Sequence, residues 1–295
     1  MKRLILLVCA VCAMCATAWA AEKDNAVFRV GKYEIHTLSE GQSSGNASIL
    51  IGADENMIKT YIPGGTFPMA VNAYLIRGGD KPILVDTGYG RELFKHLDAL
   101  GVKPEDIGTV LLTHMHGDHI GGLLRDGKVA FPNAQILVSE EEIAYWMSMD
   151  LDKVPADKRG GFLAVRDVEK AYKGKMRVFS PDELENPGPA DITPGVKAAA
   201  AYGHTPGHTV YIVHAGDESL MIWGDIAHAM AIQMPVPTVA VTYDVIPEMA
   251  VESREMVLRH VADKKMPIAG MHVPGSGMGT VASGKDKGYM FTPMP

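Results

Sequence analysis

A layered α/β domain with mixed β-sheets is the fold class the sequence predicts, and three observations predict it. Short apolar runs alternate with glycine-rich turns along the chain, and strand-like runs are joined both by tight turns and by helical segments. Polar residues gather just beyond the C-terminal ends of those runs. Hairpins interleaved with helices require more than one layer, and such sheets place their chemistry beyond the strand ends.

The first element is a leader. Residues 1–21 combine Lys2 and Arg3, an apolar run from Leu4 to about Ala16, and the small-x-small ending Ala18-Trp19-Ala20. That is the layout of a cleavable secretory signal peptide, and the run is too short to cross a bilayer. Residues 22–295 are then the folded domain, expected to be periplasmic or secreted with no membrane anchor. Cys9, Cys12 and Cys15 all fall inside the leader. Their C-x2-C-x2-C spacing is therefore set aside as a metal site, because such cysteines belong in folded domains. The chain carries a net charge of −7, more negative still without Lys2 and Arg3. An acidic chain has no general attraction for nucleic acid or anionic membrane, so a small neutral or apolar substrate is expected.

Residues 70–76 (AVNAYLI) and 82–85 (PILV) flank a polar turn and read as a hairpin. Residues 86–90 (DTGYG) make a loop, and 91–100 a helix stopped by Gly101. Residues 109–113 (TVLLT) are a buried strand ending at THMHGDHIGG. Residues 135–138 (QILV) are a strand, after which Ser139 caps a helix with Glu142 three positions on, a capping-box pattern. That helix carries Tyr145 and Trp146. Residues 150–190, rich in charge, proline and glycine, read as an insertion or lid. Strands follow at 197–201, 209–214 and 219–223, then a helix over 245–261 and a short strand at 267–270.

Seven potential metal ligands stand just after four of these strands: His114, His116, Asp118, His119, His204, Asp225 and His272. Imidazole nitrogen and carboxylate oxygen suit zinc and similar ions. His114 and His116 can point together while Asp118 and His119 face the neighbouring volume, and no single first-row ion needs seven ligands. His36, His96, His214 and His260 lack ligand neighbours and read as ordinary surface or core residues. His228, three positions past Asp225, is placed near the site without a ligand role, and His208 as a residue that orients the loop.

At these residues the chain resembles the metallo-β-lactamase superfamily. The H-x-H-x-D-H signature stands at His114–His119, G-H-T-x-G at Gly203–Gly207, the strand-terminal aspartate at Asp225 and the last histidine at His272, preceded by an early strand and turn with Asp86 in the floor of the site. The resemblance implies an αββα sandwich, two mixed β-sheets flanked by helices. It also implies two divalent ions, Zn2+ first with Mn2+, Fe2+ or Co2+ as alternatives. One would be held by His114, His116 and His204 and the other by Asp118, His119 and His272, with Asp225 bridging. The reaction implied is hydrolysis by a metal-bridging hydroxide, with Asp118 as the catalytic proton carrier.

Within the superfamily, THMHGDHIGGLL, YGHTPGHTVYIV and AIQMPVPTVAVTYD look like the exported methyl parathion hydrolase-like and lactonase branch. This implies cleavage of a lactone, carboxylic ester or phosphotriester, and a homodimer. Trp146 is the candidate pocket wall by position, with Phe162, Phe67 and Met234 behind it; ordinary packing is the competing reading of each. Histidine at position 116 disfavours flavodiiron proteins, and the acidic chain disfavours nucleases. A β-lactamase and a mononuclear iron persulfide dioxygenase are the alternatives, the latter opposed by His272. A metal-binding protein without turnover is a third.

Overall fold

The computed structural model describes residues 26–185, 188–286 and 288–295. The leader proposed for residues 1–21 lies outside them. Two seven-stranded mixed sheets form the centre. The first runs in the order Val27–Val30, Tyr33–Asn46, Thr66–Arg77, Ile83–Val85, Thr109–Leu111, Gln135–Ser139 and Met176–Phe179. The second runs Asp191–Thr193, Val196–Ala200, Thr209–Ala215, Glu218–Ile222, Ile268–Ala269, Met278–Ser283 and Tyr289–Pro293.

Strand side chains alternate between faces, and here both faces of the inner strands are covered, which is why these strands read as unbroken apolar runs. Leu111, Leu137, Ile83 and Val85 meet Tyr211, Val213, Leu220 and Ile222 between the two sheets. Their chain neighbours Val110, Leu112, Ile136 and Val138 face outward onto a second core with Leu93, Leu97, Trp146, Phe162, Val165 and Val168. These come from the helices Leu93–Ala99, Glu140–Ser148 and Arg159–Ala171. On the far side, Val210, Ile212, Met221 and Trp223 pack against Val257, Leu258 and Val261 of the helix Pro247–Lys264. The layers are therefore helix, sheet, sheet, helix. No helix of the described residues is long and apolar enough to cross a membrane.

The segment 150–190, expected as an insertion or lid, is instead largely part of the sandwich. Phe162, Val165 and Val168 recur at helical spacing and are buried, while Met176–Phe179 is the edge strand of the first sheet, parallel to Gln135–Ser139. Its charge-rich composition is that of one solvated helix face. The capping box is also only half made. Ser139 Oγ accepts from the Glu142 N–H at 3.2 Å, but the Glu142 carboxylate turns inward, away from the helix end.

Candidate metal centre

Four strand ends deliver the donors. Thr109–Leu111 leads into the 114–119 segment, whose last residues form the single helical turn Gly117–Ile120. Val196–Ala200 leads to His204, Glu218–Ile222 to Asp225 and Ile268–Ala269 to His272. Asp86 adopts a left-handed conformation at φ 57° and turns its buried carboxylate back under the histidines. It accepts from Thr113 N at 2.8 Å, Thr113 Oγ1 at 2.6 Å and His119 Nδ1 at 2.6 Å.

Three overlapping donor sets result, each within 4.8 Å: His114, His116, His204 and Asp225 in one, Asp118, His119 and His272 in a second, and Asp225, His228 and His272 in a third. In the first, His114 Nε2 lies 2.9 Å from His116 Nδ1, which lies 3.0 Å from His204 Nε2. In the second, His272 Nε2 is 3.6 Å and His119 Nε2 3.8 Å from Asp118. Asp225 stands between the sets. Its Oδ2 is 3.2 Å from His204 Nε2 and 3.0 Å from His272 Nε2, and its Oδ1 3.3 Å from His119 Nε2. All seven predicted ligands are thus brought together.

The donor set passes a chemical test for a cation. The Nδ1 of His272 lies 2.8 Å from the Ala70 carbonyl, which can only accept, so Nδ1 carries a proton and Nε2 is the nitrogen left to face a cation or Asp225. His204 Nδ1 and His119 Nδ1 are engaged by the carboxylates of Asp244 and Asp86 in the same way, the outer support usual for metal-binding histidines. His119 Nε2 and Asp225 Oδ1 are buried, face each other at 3.3 Å as an ion pair and make no well-aligned hydrogen bond. Buried polar atoms in that state are costly unless something else satisfies them, and nitrogen and oxygen donors without thiols suit zinc, manganese, iron or cobalt.

Electrostatics agree. Burial drives His116 down to about 3, helped by His204, and burial with His119 holds His114 well below its ordinary value. Burial also opposes charge on His204 and His119, yet Asp225 and neighbouring carboxylates outweigh it. His204 rises to about 9 and His119 well above its ordinary value. Asp225 itself is held well below the carboxylate range, because His119 and His272 overcome its burial. The site gathers positive charge around Asp225, so protons and a metal compete for the same atoms.

Asp244 escaped the sequence reading, while His228 and His208 stand beside the site as their positions in the sequence led one to expect. Asp244 supports His204 at 2.8 Å and caps Val241 N. His228 Nε2 lies 3.1 Å from Asp225 Oδ2, its ring stacks on His272 at 4.4 Å, and with Asp225 and His272 it forms a further donor group. The D-x-x-H spacing was the available signal. His208 is buried, engaging the Ala201 carbonyl through Nδ1 and accepting from Asp225 N through Nε2 at 2.9 Å, so it fixes the backbone that carries Asp225. Of the proposed pocket residues, Trp146 packs edge-on against His116 at 5.7 Å, and Phe162 lies behind it at 4.6 Å. Phe67 packs in a separate cluster with Ala229 and Ile232, and Met234 packs with Trp223 and Val257. Both are 2% exposed, so neither offers an open wall. Tyr89 and Tyr243, absent from the predicted pocket, are about half exposed. The Tyr89 phenol lies within the field of Asp118, and the Tyr243 ring is 5.7 Å from His228.

The chain and its fold are similar to known proteins. The family model for the metallo-beta-lactamase superfamily matches residues 66–287. The N-acyl homoserine lactonase of Bacillus cereus is 25% identical over 191 residues, 55% of this chain and 66% of that protein. A ribonuclease of Thermus thermophilus is 26% identical over 59% of this chain and 39% of its own length. The chain thus spans less than two thirds of these relatives. Among solved structures, the hydrolase AbOPH superimposes with a TM-score of 0.81 at 28% identity, covering 93% of this chain and 99% of that one. AidC, a dizinc quorum-quenching lactonase, matches with a TM-score of 0.81 at 26% identity, covering 92% and 97%. With a family match over most of its length and the αββα layers in place, the chain belongs to the metallo-β-lactamase superfamily.

Proposed function

We propose that the protein is an exported dinuclear metallohydrolase acting on a lactone, a carboxylic ester or a phosphotriester of modest size. The observation that carries this reading is the pair of donor sets meeting at Asp225. The likeness to a dizinc lactonase supports it. Two divalent ions, zinc first, would supply a water activated near neutral pH and a Lewis acid for the scissile C=O or P=O.

The chain's own groups then divide the remaining work. His114, His116 and His204 form one holding set and Asp118, His119 and His272 the other, with Asp225 common to both. Asp118 is the one carboxylate of the two sets with its side chain open to solvent, at 21% exposure, and is assigned the transfer of a proton to the leaving oxygen. Burial and Asp118 push the Tyr89 phenol above its ordinary value, so it stays neutral and able to donate a hydrogen bond. Trp146, 5% exposed, backs His116 from within the helix-side core.

The test is a turnover panel of acyl lactones, aryl esters, phosphotriesters and β-lactams with the zinc-loaded protein. Lactones or aryl esters are expected to lead; a broad preference for penicillins would make the protein a β-lactamase. Oxygen uptake with an iron-loaded protein and a persulfide substrate would replace the hydrolase reading altogether.

A further inference from the structure

The fully buried carboxylate of Glu142, on the helix Glu140–Ser148, touches no donor atom of either set, yet it gathers four hydrogen bonds from three parts of the chain. Oε1 accepts from Met115 N at 2.8 Å and from Trp146 Nε1 at 2.6 Å. Oε2 accepts from Thr205 Oγ1 at 2.5 Å and from Gly207 N at 3.2 Å. Met115 sits between His114 and His116, and Thr205 directly follows His204. The two oxygens therefore tie together the two loops that carry the three imidazoles of one donor set. The third partner, Trp146, packs its ring against His116. The fit is tight: a Cβ at Gly207 would stand 2.1 Å from Glu142 N. Nothing in this network touches Asp118, His119 or His272.

We infer that Glu142 is a positioning residue that latches the His114–His116 loop to the His204 loop and so sets the spacing of that donor set alone. The inference rests on the two-metal reading of the site. Two backbone N–H groups and an indole N–H can only donate, so all of them need an acceptor at Glu142. A glutamine of the same shape cannot serve. Whichever way its amide turns, an NH2 group faces either Met115 N–H with the Trp146 indole, or Gly207 N–H. The lower-cost orientation lets the Thr205 hydroxyl rotate to accept and leaves the 204–207 loop released.

The experiment measures zinc binding by competition with a chromophoric chelator in wild type, E142Q, T205V and T205S, alongside denaturation of each metal-free protein. In E142Q one zinc site weakens about 10- to 100-fold, the range seen when outer support of a metal ligand is removed, while the other keeps its wild-type affinity. T205V moves the same site by a smaller factor, and T205S, which retains the hydroxyl, restores it. The E142Q shift persists in a His272→Ala background and vanishes in a His204→Ala background. Equal weakening of both sites, or unchanged affinity in both E142Q and T205V, overturns the latch. If E142Q does not fold, T205V against T205S carries the test. The number of zinc ions in wild type reads the dinuclear proposal separately, and the ratio of variant to wild-type affinity reads the latch.

Discussion

Asp86 offers the sharpest separation of folding from metal holding. Its buried carboxylate receives three hydrogen bonds, two from Thr113 and one from His119 Nδ1. In Asp86→Ala all three donors lose their acceptor in a site without water access, and removing one partner of a buried charged network costs about 3–5 kcal/mol. Asp86→Asn behaves differently. Asparagine tolerates the left-handed conformation that Asp86 occupies at φ 57°, so backbone strain drops out of the comparison. The Thr113 hydroxyl can accept from the new amide and donate to His114 Nδ1, 3.1 Å away, which places the His114 proton on Nε2. His119 Nδ1 then faces an N–H, and the imidazole relieves the clash by giving up its Nδ1 proton and keeping the one on Nε2, the atom aimed at Asp225 and Asp118. The metal-free protein should therefore lose only about 1–2 kcal/mol, roughly one hydrogen bond, while zinc affinity falls about 10- to 100-fold. Urea denaturation in the presence of a chelator, analysed at constant m-value, measures the first quantity, and chelator competition the second. A zinc affinity in Asp86→Asn equal to wild type, or an Asp86→Ala loss below about 1 kcal/mol, would refute this account of how His119 is held.

Other outcomes follow from the same geometry. His204 is raised from 6.5 to about 9, so it stabilises the metal-free fold fully below pH 6.5 and loses that contribution as pH rises through about 9. Zinc binding at pH 7.5 should accordingly release protons, seen as a buffer-dependent heat in calorimetry, and metal-free stability should fall between pH 7 and 9.5. Tyr74 Oη spans the Gly270 and Gly277 carbonyls at 2.8 Å each, bracing the loop of His272. Tyr74→Phe should cost about 1–3 kcal/mol, visible as a lower melting temperature. Arg254 is buried and donates to the carbonyls of Ile226, Pro237 and Val239 beside Asp244; Arg254→Met should destabilise by about 3–5 kcal/mol in denaturant. Gly203 holds φ +123° with Ala250 N only 2.1 Å from where a Cβ would stand. Gly203→Ala should lose about 1–3 kcal/mol from the backbone angle alone and more from the clash, and wild-type thermal stability would contradict it.

The inner strands and the seven donors were legible because both leave local traces. A strand buried on two faces is an apolar run, and ligands close in space arrive here as short motifs at strand ends. The long strand Tyr33–Asn46 was missed because its far half, GQSSGN, is exposed and polar, with no alternation to read. Residues 159–171 hid a packed helix behind exposed charge. Glu142 carried a capping signature, yet its real partners lie 27, 63 and 65 positions away, besides Trp146 one turn on. Asp244 is 40 positions from His204. Side-chain contacts at such separations leave no periodicity, so the support beneath the donors becomes visible only once the sheets are assembled.

Side chains that hold two cations around one shared carboxylate are tested most directly by counting the metal. Elemental analysis of purified, fully active protein should give two divalent ions per chain, with one retained in each of His204→Ala and His272→Ala. A fully active wild-type preparation holding one ion or none would contradict that arrangement.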